Sequence, residues 1–284
     1  MTHGATPSVL LVGCGDIAQR LAALLRDDCQ LTGLRRHPEN LPEFIFPLAA
    51  DVNDSGAVRA ALQQKIFDYV VITLTPGERT EARYRQVYVD GTRNVLSALQ
   101  GSPRLLFVSS TSVYAQDSGE CVDEQSPALG RGFSGRCLLE AERLVVESGL
   151  AATVVRLSGI YGAGRNRLLS QVRAGRVDTS RAAQWTNRIH ADDAARVLTH
   201  LIRRWQQGLA PVSCYIATDT QPVQAVEVWC WLAAQMAVVP PVIDTAFQQV
   251  ASGKQCSSSL LQQEGFKFLF PDFRAGYLCE LAGR

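Results

Sequence analysis

Three small residues, Gly13, Gly15 and Ala18, form the most informative motif of this chain. They follow a run of apolar residues at 9–12. The run is typical of a buried strand, and the residues after the glycines have apolar side chains at helical spacing. A glycine at 13 permits a tight turn, a glycine at 15 lets backbone N–H groups approach a phosphate, and a small residue at 18 keeps helix and strand close. The helix start adds a partial positive charge. The pattern therefore predicts binding of a dinucleotide pyrophosphate. The residues assigned to this site are Gly13, Gly15, Asp16, Ile17 and Ala18.

The end of the second predicted strand bears on which dinucleotide is bound. Proteins that bind NAD usually place a carboxylate about 20 residues after the first glycine, where it accepts hydrogen bonds from the ribose 2′-hydroxyl. Here Arg35 and Arg36 stand at that point, and no carboxylate is present. Because guanidinium groups pair with a 2′-phosphate through charge-assisted hydrogen bonds, the sequence favours NADP over NAD. The alternative is that both arginines are solvated in a surface turn. Further predicted cofactor contacts follow the third and fourth strands, at Asp51, Val52, Leu74 and Thr75.

Apolar strands alternate with amphipathic helices along the first half of the chain. Strands are predicted at 30–34, 44–48, 68–74, 104–109 and 152–157, and helices at 55–64, 81–99 and 138–148. This alternation is typical of parallel βαβ units, so we predict an α/β fold with a Rossmann-type doubly wound parallel sheet, whose ligands bind at the carboxyl ends of the strands. An NAD(P)-binding domain is predicted over 1–157, completed by part of 185–217, with a smaller, interleaved substrate-binding lobe over 158–284.

The composition argues against several other classes of function. The formal net charge is +1 over 284 residues, so we expect no binding to nucleic acid or to an anionic membrane. No apolar run approaches the roughly 20 residues of a membrane helix, and the start of the chain lacks the basic segment of a secretory signal. The eight cysteines form no Cys-x-x-Cys motif and no Cys/His cluster. This spacing predicts reduced thiols, no metal site and a cytoplasmic location.

Four later stretches resemble, in order, the motifs of one enzyme family. Residues 91–99 are similar to a helix with the pattern G-T-x-N-V-L-x-A, and residues 109–114 to the segment S-S-x-x-V-Y. Residues 156–165 resemble R-P-x-x-V-Y-G-x-G-R, and residues 187–195 resemble F-I-H-V-D-D-x-A. Together with the glycine turn, the ordered set covers almost the whole chain. The chain is identified as an atypical member of the extended short-chain dehydrogenase/reductases, the NAD(P)-dependent epimerase/dehydratase family.

The resemblance implies a catalytic Tyr-x-x-x-Lys pair, which this chain lacks. In the family the lysine lowers the pKa of the tyrosine, and the phenolate exchanges a proton with the substrate while hydride moves to or from nicotinamide. Aligned on the glutamate that follows, the two positions hold Ser134 and Leu138. No tyrosine anywhere in the chain has a lysine four residues later. The expected active site is therefore degenerate.

Three residues remain as candidates for the chemistry. Ser110 falls on the family's catalytic serine or threonine and would polarise a carbonyl; the alternative is a hydroxyl that caps the backbone at a strand end. Tyr114 would act as a substitute acid or, as in the family, pack beside the substrate. Ser134 stands in place of the tyrosine. We predict an NADP-binding, epimerase/dehydratase-like oxidoreductase; the alternative is a catalytically silent NADP(H)-binding sensor or regulatory protein.

The resemblance also implies roles outside the cofactor site. Arg165 and Arg188 are similar to positions that face a sugar-nucleotide diphosphate, and Tyr161 belongs to a substrate-side loop. His190 is expected to be structural, with the carboxylates after it capping a helix. The predicted partner is a small polar or nucleotide-sugar-like substrate. The family allows a homodimer through the helices at 81–99 and 134–148.

Overall fold

The computed structural model describes residues 6–243 and 251–283. Its first elements in chain order are β1 (Ser8–Val12), α1 (Asp16–Leu25), β2 (Gln30–Arg35), β3 (Ile45–Ala49), α2 (Ser55–Leu62), β4 (Tyr69–Ile72), α3 (Glu81–Tyr84), a π-helix (Arg85–Asp90), α4 (Gly91–Ala98), β5 (Arg104–Ser110), β6 (Ser118–Val122), α5 (Phe133–Val146) and β7 (Ala152–Leu157). They are followed by β8 (Gly159–Tyr161), α6 (Arg167–Arg173), β9 (Gln184–Thr186), β10 (Arg188–His190), α7 (Ala191–Gln206), β11 (Cys214–Ala217), β12 (Val223–Gln224), α8 (Ala225–Gln235), β13 (Ser252–Cys256), α9 (Ser259–Gln263) and α10 (Phe273–Ala282).

The central sheet is mostly parallel. Within the described residues it has seven strands, in the order β11-β7-β5-β4-β1-β2-β3. β1 pairs in parallel with β2 and with β4, and the register places Val12 beside Leu34 on one side and Ile72 on the other. The chain runs from β1 to β2 and β3 in one direction, and later from β4 to β5 in the other. This confirms the predicted Rossmann-type doubly wound fold, in which ligands bind beyond the carboxyl ends of the strands where the order reverses.

The apolar strands are explained by burial on both faces of the sheet. β1 and β4 are buried along almost their whole length. Leu10, Ile72 and Phe107 of the sheet pack in one cluster with Val58 of α2 and Val95 of α4. Strands that are covered on both faces need continuous apolar runs rather than alternating ones, and the sequence has such runs.

The described chain divides into two compact units. Unit 1 has the bounds Met1–Val113, Ala128–Arg156 and Ala195–Tyr215. Unit 2 has the bounds Tyr114–Pro127, Leu157–Ala194 and Ile216–Arg284. Each unit is therefore assembled from separate segments of the chain.

Unit 2 has its own small sheets and its own core. The strands described in it form a four-stranded sheet in the order β12-β9-β13-β6 and a two-stranded pair, β10-β8. Tyr161, Trp229, Phe273 and Tyr277 belong to its apolar cluster. Because this cluster is separate from that of unit 1, each unit buries a core of its own.

The helix predicted over 81–99 contains a π-helical segment that the sequence pattern does not indicate. α3 leads directly into the π-helix, and the π-helix leads into α4. A π turn holds more residues than an α turn, so it shifts the facing of the side chains that follow. Immediately after it, Gly91 lies against Val52, where a Cβ would be 3.0 Å from Cγ2 of the valine. A glycine at 91 therefore lets the helix approach the segment after β3.

Candidate cofactor-binding site

A cleft in unit 1 lies beyond the carboxyl ends of β1, β2, β3 and β4. Its walls combine glycine backbone, apolar side chains and cations. The described residues that line it are Gly13, Cys14, Gly15, Leu34, Arg35, Arg36, His37, Ala50, Asp51, Val52, Asn53, Leu74, Thr75, Arg83 and Val87. The fold thus brings together the predicted cofactor residues from the segments after all four strands. They are Gly13, Gly15, Arg35, Arg36, Asp51, Val52, Leu74 and Thr75.

The turn after β1 requires glycine at position 13. Gly13 has a φ of +75°, and a Cβ there would lie 3.0 Å from the carbonyl oxygen of Thr73. The N–H of Gly13 donates to the carbonyl of Leu34 at 2.9 Å, and Thr73 Oγ1 donates to the carbonyl of Gly13 at 3.0 Å. Gly15 is the N-cap of α1, and within the described chain no side chain caps this helix. The helix start therefore offers N–H groups of the kind that bind phosphate.

Three predicted cofactor residues lie at the start of α1 without lining the cleft. Asp16 accepts a hydrogen bond of 2.8 Å from Arg20, so its carboxylate forms an ion pair on the helix surface. Ile17 and Ala18 are buried, and these side chains hold α1 in place. In this structure the three residues position the helix start; their direct contact with a cofactor stays a prediction.

Arg35, Arg36 and His37 lie together at the β2 side of the cleft. Arg35 Nη1 donates to the carbonyl oxygen of Cys14 at 3.2 Å, so this guanidinium reaches from the end of β2 to the glycine turn. Arg36 is exposed. Neither arginine has a carboxylate partner among the residues that the structure describes. Their two positive charges are therefore not neutralised by any side chain of residues 6–243 and 251–283.

Cys14 is a buried part of the turn. Burial raises the pKa of its thiol to about 11, although the charge of Arg35 acts in the opposite direction. Since the thiolate is the reactive form of cysteine, a thiol with this pKa is inert near neutral pH. Cys14 therefore acts as a small buried spacer between the two glycines of the turn.

The segment after β3 is held from two sides. Asp51 Oδ1 accepts hydrogen bonds from the N–H of Asn53 at 3.0 Å and from its Nδ2 at 2.7 Å. With Nδ2 committed to the carboxylate, the buried Oδ1 of Asn53 has no partner in the described structure. From α4, Asn94 Nδ2 donates to the carbonyl of Val52 at 2.9 Å. The helix of the motif G-T-x-N-V-L-x-A thus supports the wall of the cleft.

Sequence reasoning missed Arg83, which lines the cleft from α3. Its Nε donates to the carbonyl of Pro76 at 3.1 Å, and its Nη1 donates to Gln86 Oε1 at 2.6 Å. Both partners are neutral, and the described residues provide no ion pair for this guanidinium. Nothing in the sequence distinguishes Arg83 from the other arginines of the same helix, so only the fold identifies it.

The positions aligned with the family's catalytic residues lie where β5 and α5 meet. Ser110 Oγ accepts a hydrogen bond of 3.1 Å from the N–H of Ser112, which caps the strand end and leaves the O–H as a donor. A Cβ at Gly135 would lie 2.7 Å from the carbonyl of Ser112, so α5 closely approaches this turn. Ser134 is half-buried at the start of α5. Leu138, which the sequence alignment matches with the family's lysine, is an aliphatic core side chain that is 3% exposed.

The glutamate used for that alignment belongs to a buried ionic network. Arg156 donates to Glu142 through Nε at 3.1 Å and through Nη2 at 2.6 Å. Ser109 donates to the same carboxylate from Oγ. All three residues are buried. The network ties α5 to β5 and β7 and so fixes the helix that carries Ser134 and Leu138.

Tyr114 belongs to unit 2, where its side chain is buried. Its hydroxyl donates to the carbonyl of Asp123 at 2.9 Å, and Lys254 Nζ donates to the carbonyl of Tyr114 at 3.0 Å. The phenolic proton is thus engaged in a hydrogen bond within the unit. A role as a substitute acid requires this bond to break, and it stays a prediction.

The predicted substrate residues Tyr161, Arg165 and Arg188 also lie in unit 2. Tyr161 packs against His190 and Tyr277, with ring centroids 5.2 Å and 4.6 Å away, and burial raises the pKa of its hydroxyl. Arg165 is half-buried in the loop before α6, whereas Arg188 is buried. Tyr161 and Arg188 are thus core residues of this unit, and a contact of any of the three with substrate stays a prediction.

Asp219 lies beside Arg188, and its N–H donates to the carbonyl of Arg188 at 2.7 Å. Asp219 is 1% exposed. Burial raises the pKa of its carboxyl to about 7, although the positive charge of Arg188 acts in the opposite direction. Asp219 Oδ2, Arg188 Nη1 and Ser158 Oγ are buried and have no hydrogen-bond partner among the described residues. Asp219 therefore changes its charge near neutral pH.

The His-x-Asp-Asp element holds the C-terminal segment of unit 2. His190 Nε2 lies 3.2 Å from Glu280 Oε1 of α10. The carboxylate of Asp193 accepts hydrogen bonds from the N–H groups of Leu269 and Phe270, both at 2.8 Å. Its two oxygens thus bind the loop before α10, a long-range contact that the expectation of helix capping did not include.

The described residues contain neither a metal-binding cluster nor a membrane-spanning helix. Within residues 6–243 and 251–283, no group of three or more histidine, cysteine or acidic side chains is arranged to hold a metal ion. None of the described helices has the length and apolar character needed to span a membrane.

Known proteins that are similar to this chain include NAD(P)H-binding proteins with the same fold. The model of a family described as NAD(P)H-binding matches residues 13–204. A protein from Methylobacillus flagellatus, assigned to the NAD-dependent epimerases/dehydratases, is 34% identical, with a TM-score of 0.86 over 98% of this chain and 99% of that chain. The 3-diazoavenalumate denitrifying reductase of a Streptomyces species is 27% identical over 82% of this chain and 83% of its own. MoeE5, solved with UDP-glucose and NAD, has the same fold at 21% identity, with a TM-score of 0.76 over 97% of each chain.

Proposed function

Because this chain belongs to the NAD(P)H-binding epimerase/dehydratase family of extended short-chain dehydrogenase/reductases, we propose that it is an NADP(H)-dependent oxidoreductase with a degenerate active site. The observation that carries the choice of cofactor is the pair Arg35 and Arg36, which line the cleft at the end of β2 with no carboxylate partner in the described structure. The similarity to a Streptomyces protein named as a reductase supports the reaction class.

The residues of the cleft fit the chemical groups of NADP. The glycine turn and the start of α1 suit a pyrophosphate. Arg35 and Arg36 suit a 2′-phosphate, since a guanidinium forms bidentate, charge-assisted hydrogen bonds with phosphate. The buried Oδ1 of Asn53 lacks a partner, and an adenine amino group is a donor of the kind that it needs. The apolar side chains of Val52 and Leu74 provide surface for the rings.

The chemistry proposed for the chain's own residues is limited to hydroxyl groups. A bound NADPH supplies a hydride. Ser110 retains an O–H that can donate to a substrate carbonyl, and Ser134 adds a second hydroxyl at the position of the tyrosine. Leu138 provides no cation to lower the pKa of either group. Losing a tuned general acid typically costs roughly 10²- to 10⁴-fold in rate, so we expect slow turnover unless the substrate supplies its own proton path.

The proposed substrate is a small polar molecule, nucleotide sugars included. MoeE5, which shares the fold, binds UDP-glucose in its solved complex. Arg165 and Arg188 are the residues proposed to face such a substrate, together with Tyr161. A homodimer through the helices at 81–99 and 134–148 is also proposed.

The second candidate is a catalytically silent NADP(H)-binding sensor or regulatory protein. Leu138, which is 3% exposed, favours it, because a buried leucine gives the core an apolar contact where an active enzyme needs a charge. A sensor would keep the glycine turn and the arginines and would have no use for the missing pair.

Hydride transfer distinguishes the two candidates. The purified protein is incubated with NADPH labelled at C4 of the nicotinamide and with a panel of nucleotide-linked keto sugars and small ketones, whose carbonyl carbon can accept the hydride. The oxidoreductase predicts transfer of label to at least one substrate, and a reduced rate in Ser110→Ala with unchanged NADPH affinity. Tight binding of NADPH with no transfer to any member of the panel would exclude the enzyme and support the sensor.

A further inference from the structure

We propose that Arg83 binds the pyrophosphate of the dinucleotide at the β4 side of the cleft and therefore contributes equally to the binding of NAD and NADP. The inference rests on the proposed function, since it assumes a dinucleotide in the cleft. It adds a phosphate-binding residue that lies outside the glycine turn.

The charges along the helix that contains α3, the π-helix and α4 set Arg83 apart. Arg85 pairs with Glu140 at 2.7 Å, and Arg93 pairs with Asp90 at 2.6 Å. The guanidinium of Arg83 instead bonds only to a carbonyl and an amide oxygen of the described residues. Among the residues that the structure describes, the other two arginines of this helix are thus neutralised, whereas the one that lines the cleft is not.

The guanidinium of Arg83 is held in place before any ligand binds. The bond from Nε to Pro76 anchors it to the loop after β4, and the bond from Nη1 to Gln86 anchors it to the next helical turn. A guanidinium has five N–H donors in a fixed fork, and these two bonds leave others for a ligand. A fixed fork loses less entropy when it binds an anion, so Arg83 is suited to a phosphate.

The strand order separates Arg83 from the arginines of the β2 side. β4 and β2 flank β1 on opposite sides, and two strand spacings amount to roughly 10 Å. Arg83 is anchored beyond β4 through Pro76, whereas Arg35 extends from the end of β2 to Cys14. The glycine turn lies between the two anchors. Arg83 is therefore on the side of the pyrophosphate that faces away from the 2′-phosphate end.

The charge balance of the cleft supports more than one phosphate site. Its described walls contain the guanidiniums of Arg35, Arg36 and Arg83 and a single carboxylate, that of Asp51. That carboxylate already accepts two hydrogen bonds from Asn53. The surplus of positive charge fits a ligand with a pyrophosphate and a separate 2′-phosphate.

The test measures dissociation constants of wild type and Arg83→Gln for NAD, NADP and adenosine 2′-monophosphate, which has a 2′-phosphate and no pyrophosphate. Removing one charge-assisted hydrogen bond should raise the Kd for both dinucleotides by the same factor, roughly tenfold or more. Binding of adenosine 2′-monophosphate should stay unchanged. The dependence of log Kd for NAD on log salt should also become less steep, because one fewer charge is paired; a merely structural loss would leave that slope unchanged.

Two controls make the outcome specific. Arg79→Gln removes the same charge from an exposed residue outside the cleft walls and should change none of the three constants; Arg83→Lys keeps the charge and should recover part of the affinity. A loss confined to NADP, an equal loss of adenosine 2′-monophosphate, or unchanged binding would overturn the assignment of Arg83. Failure of the wild type to bind either dinucleotide would instead overturn the proposed function, and this assignment with it.

Discussion

Arg35 donates a hydrogen bond of 3.2 Å to the carbonyl oxygen of Cys14, and this contact ties the end of β2 to the glycine turn after β1. Two segments that are 21 residues apart thereby form one wall of the cleft. The next residue, Arg36, is exposed in the same wall. Arg35 and Arg36, which are proposed to discriminate between NAD and NADP, therefore lie beside the glycine turn that is proposed to bind the pyrophosphate.

Replacing both arginines of this wall should change the choice of cofactor. In the double variant Arg35→Ala/Arg36→Ala we expect the Kd for NADP to rise about 100-fold, since about two charge-assisted hydrogen bonds are lost. The Kd for NAD should change by less than roughly threefold, because a bare 2′-hydroxyl gains little from a cation. Titration calorimetry with both dinucleotides measures the difference.

The matched control for this prediction is Arg26→Ala/Arg59→Ala, which removes two exposed arginines outside the cleft. It should leave both constants unchanged. Equal losses of NADP and NAD affinity in the Arg35/Arg36 variant would show that the cofactor assignment is wrong.

Alanine substitutions at Gly13 and Gly77 should distinguish the cost of backbone strain from the cost of steric overlap. The φ angles of the two glycines are +75° and +77°, but only Gly13 has close neighbours; around Gly77 the described structure leaves space for a Cβ. Gly77→Ala should lower the free energy of unfolding by about 1–2 kcal/mol from the left-handed conformation alone. Gly13→Ala should cost at least about 1 kcal/mol more because of the overlap, and it should lose dinucleotide binding. Urea unfolding of both variants measures the two losses in the free energy of unfolding. Equal losses would contradict the prediction.

The pair of Glu142 and Arg156 should contribute far more to stability than a similar exposed pair. Glu142→Gln leaves a buried guanidinium without its charged partner and should lower the free energy of unfolding by about 3–5 kcal/mol. Glu140→Gln, which breaks the bidentate but solvated pair with Arg85, should cost about 0–1 kcal/mol. Chemical denaturation measures both values. A small effect at Glu142 would mean that the buried network does not hold α5.

The raised pKa of the Asp219 carboxyl predicts that the stability of the protein depends on pH. Its carboxyl has a pKa of about 7 in the folded protein, raised from 3.8 by burial, so between about pH 4 and pH 7 the unfolded chain releases a proton that the folded chain retains. The free energy of unfolding should therefore fall as the pH rises through this range, by up to about 1.4 kcal/mol per pH unit from this group, and level off above it. Asp219→Asn should lack this contribution.

Urea unfolding from pH 4.5 to 8 measures this effect as the difference between wild type and Asp219→Asn. The charged groups that face Asp219 in unit 2 are Arg188, Asp272 and Asp193, and they are present in both proteins, so the difference isolates Asp219. Parallel pH profiles of the two proteins would contradict the prediction.

Local patterns predicted the elements that surround the cleft, but not every detail of them. The apolar runs and helical spacings gave the alternation of strands and helices, because burial on both faces of a parallel sheet leaves a strong local signal. The π-helix at Arg85–Asp90 has no such signal in the spacing of its apolar residues. The apolar pattern predicted a helix start at 138 and the family resemblance implied one at 134, whereas α5 starts at Phe133. The first turn of α5 packs closely against the turn after β5, where a Cβ at Gly135 would lie 2.7 Å from the carbonyl of Ser112.

By itself, the sequence determined the glycine turn, the arginines after β2 and the absence of a Tyr-x-x-x-Lys motif, because each depends on residue type and spacing within a short segment. Tertiary structure alone decided that Arg83 lines the cleft, that Glu142 pairs with Arg156, and that Asp219 is buried beside Arg188. Glu142 and Arg156, like Asp219 and Arg188, are distant from each other in the chain, and Arg83 is one of several arginines in the same helix. Whether such a charged side chain is paired depends on which residues the fold brings next to it, and no local sequence pattern encodes that.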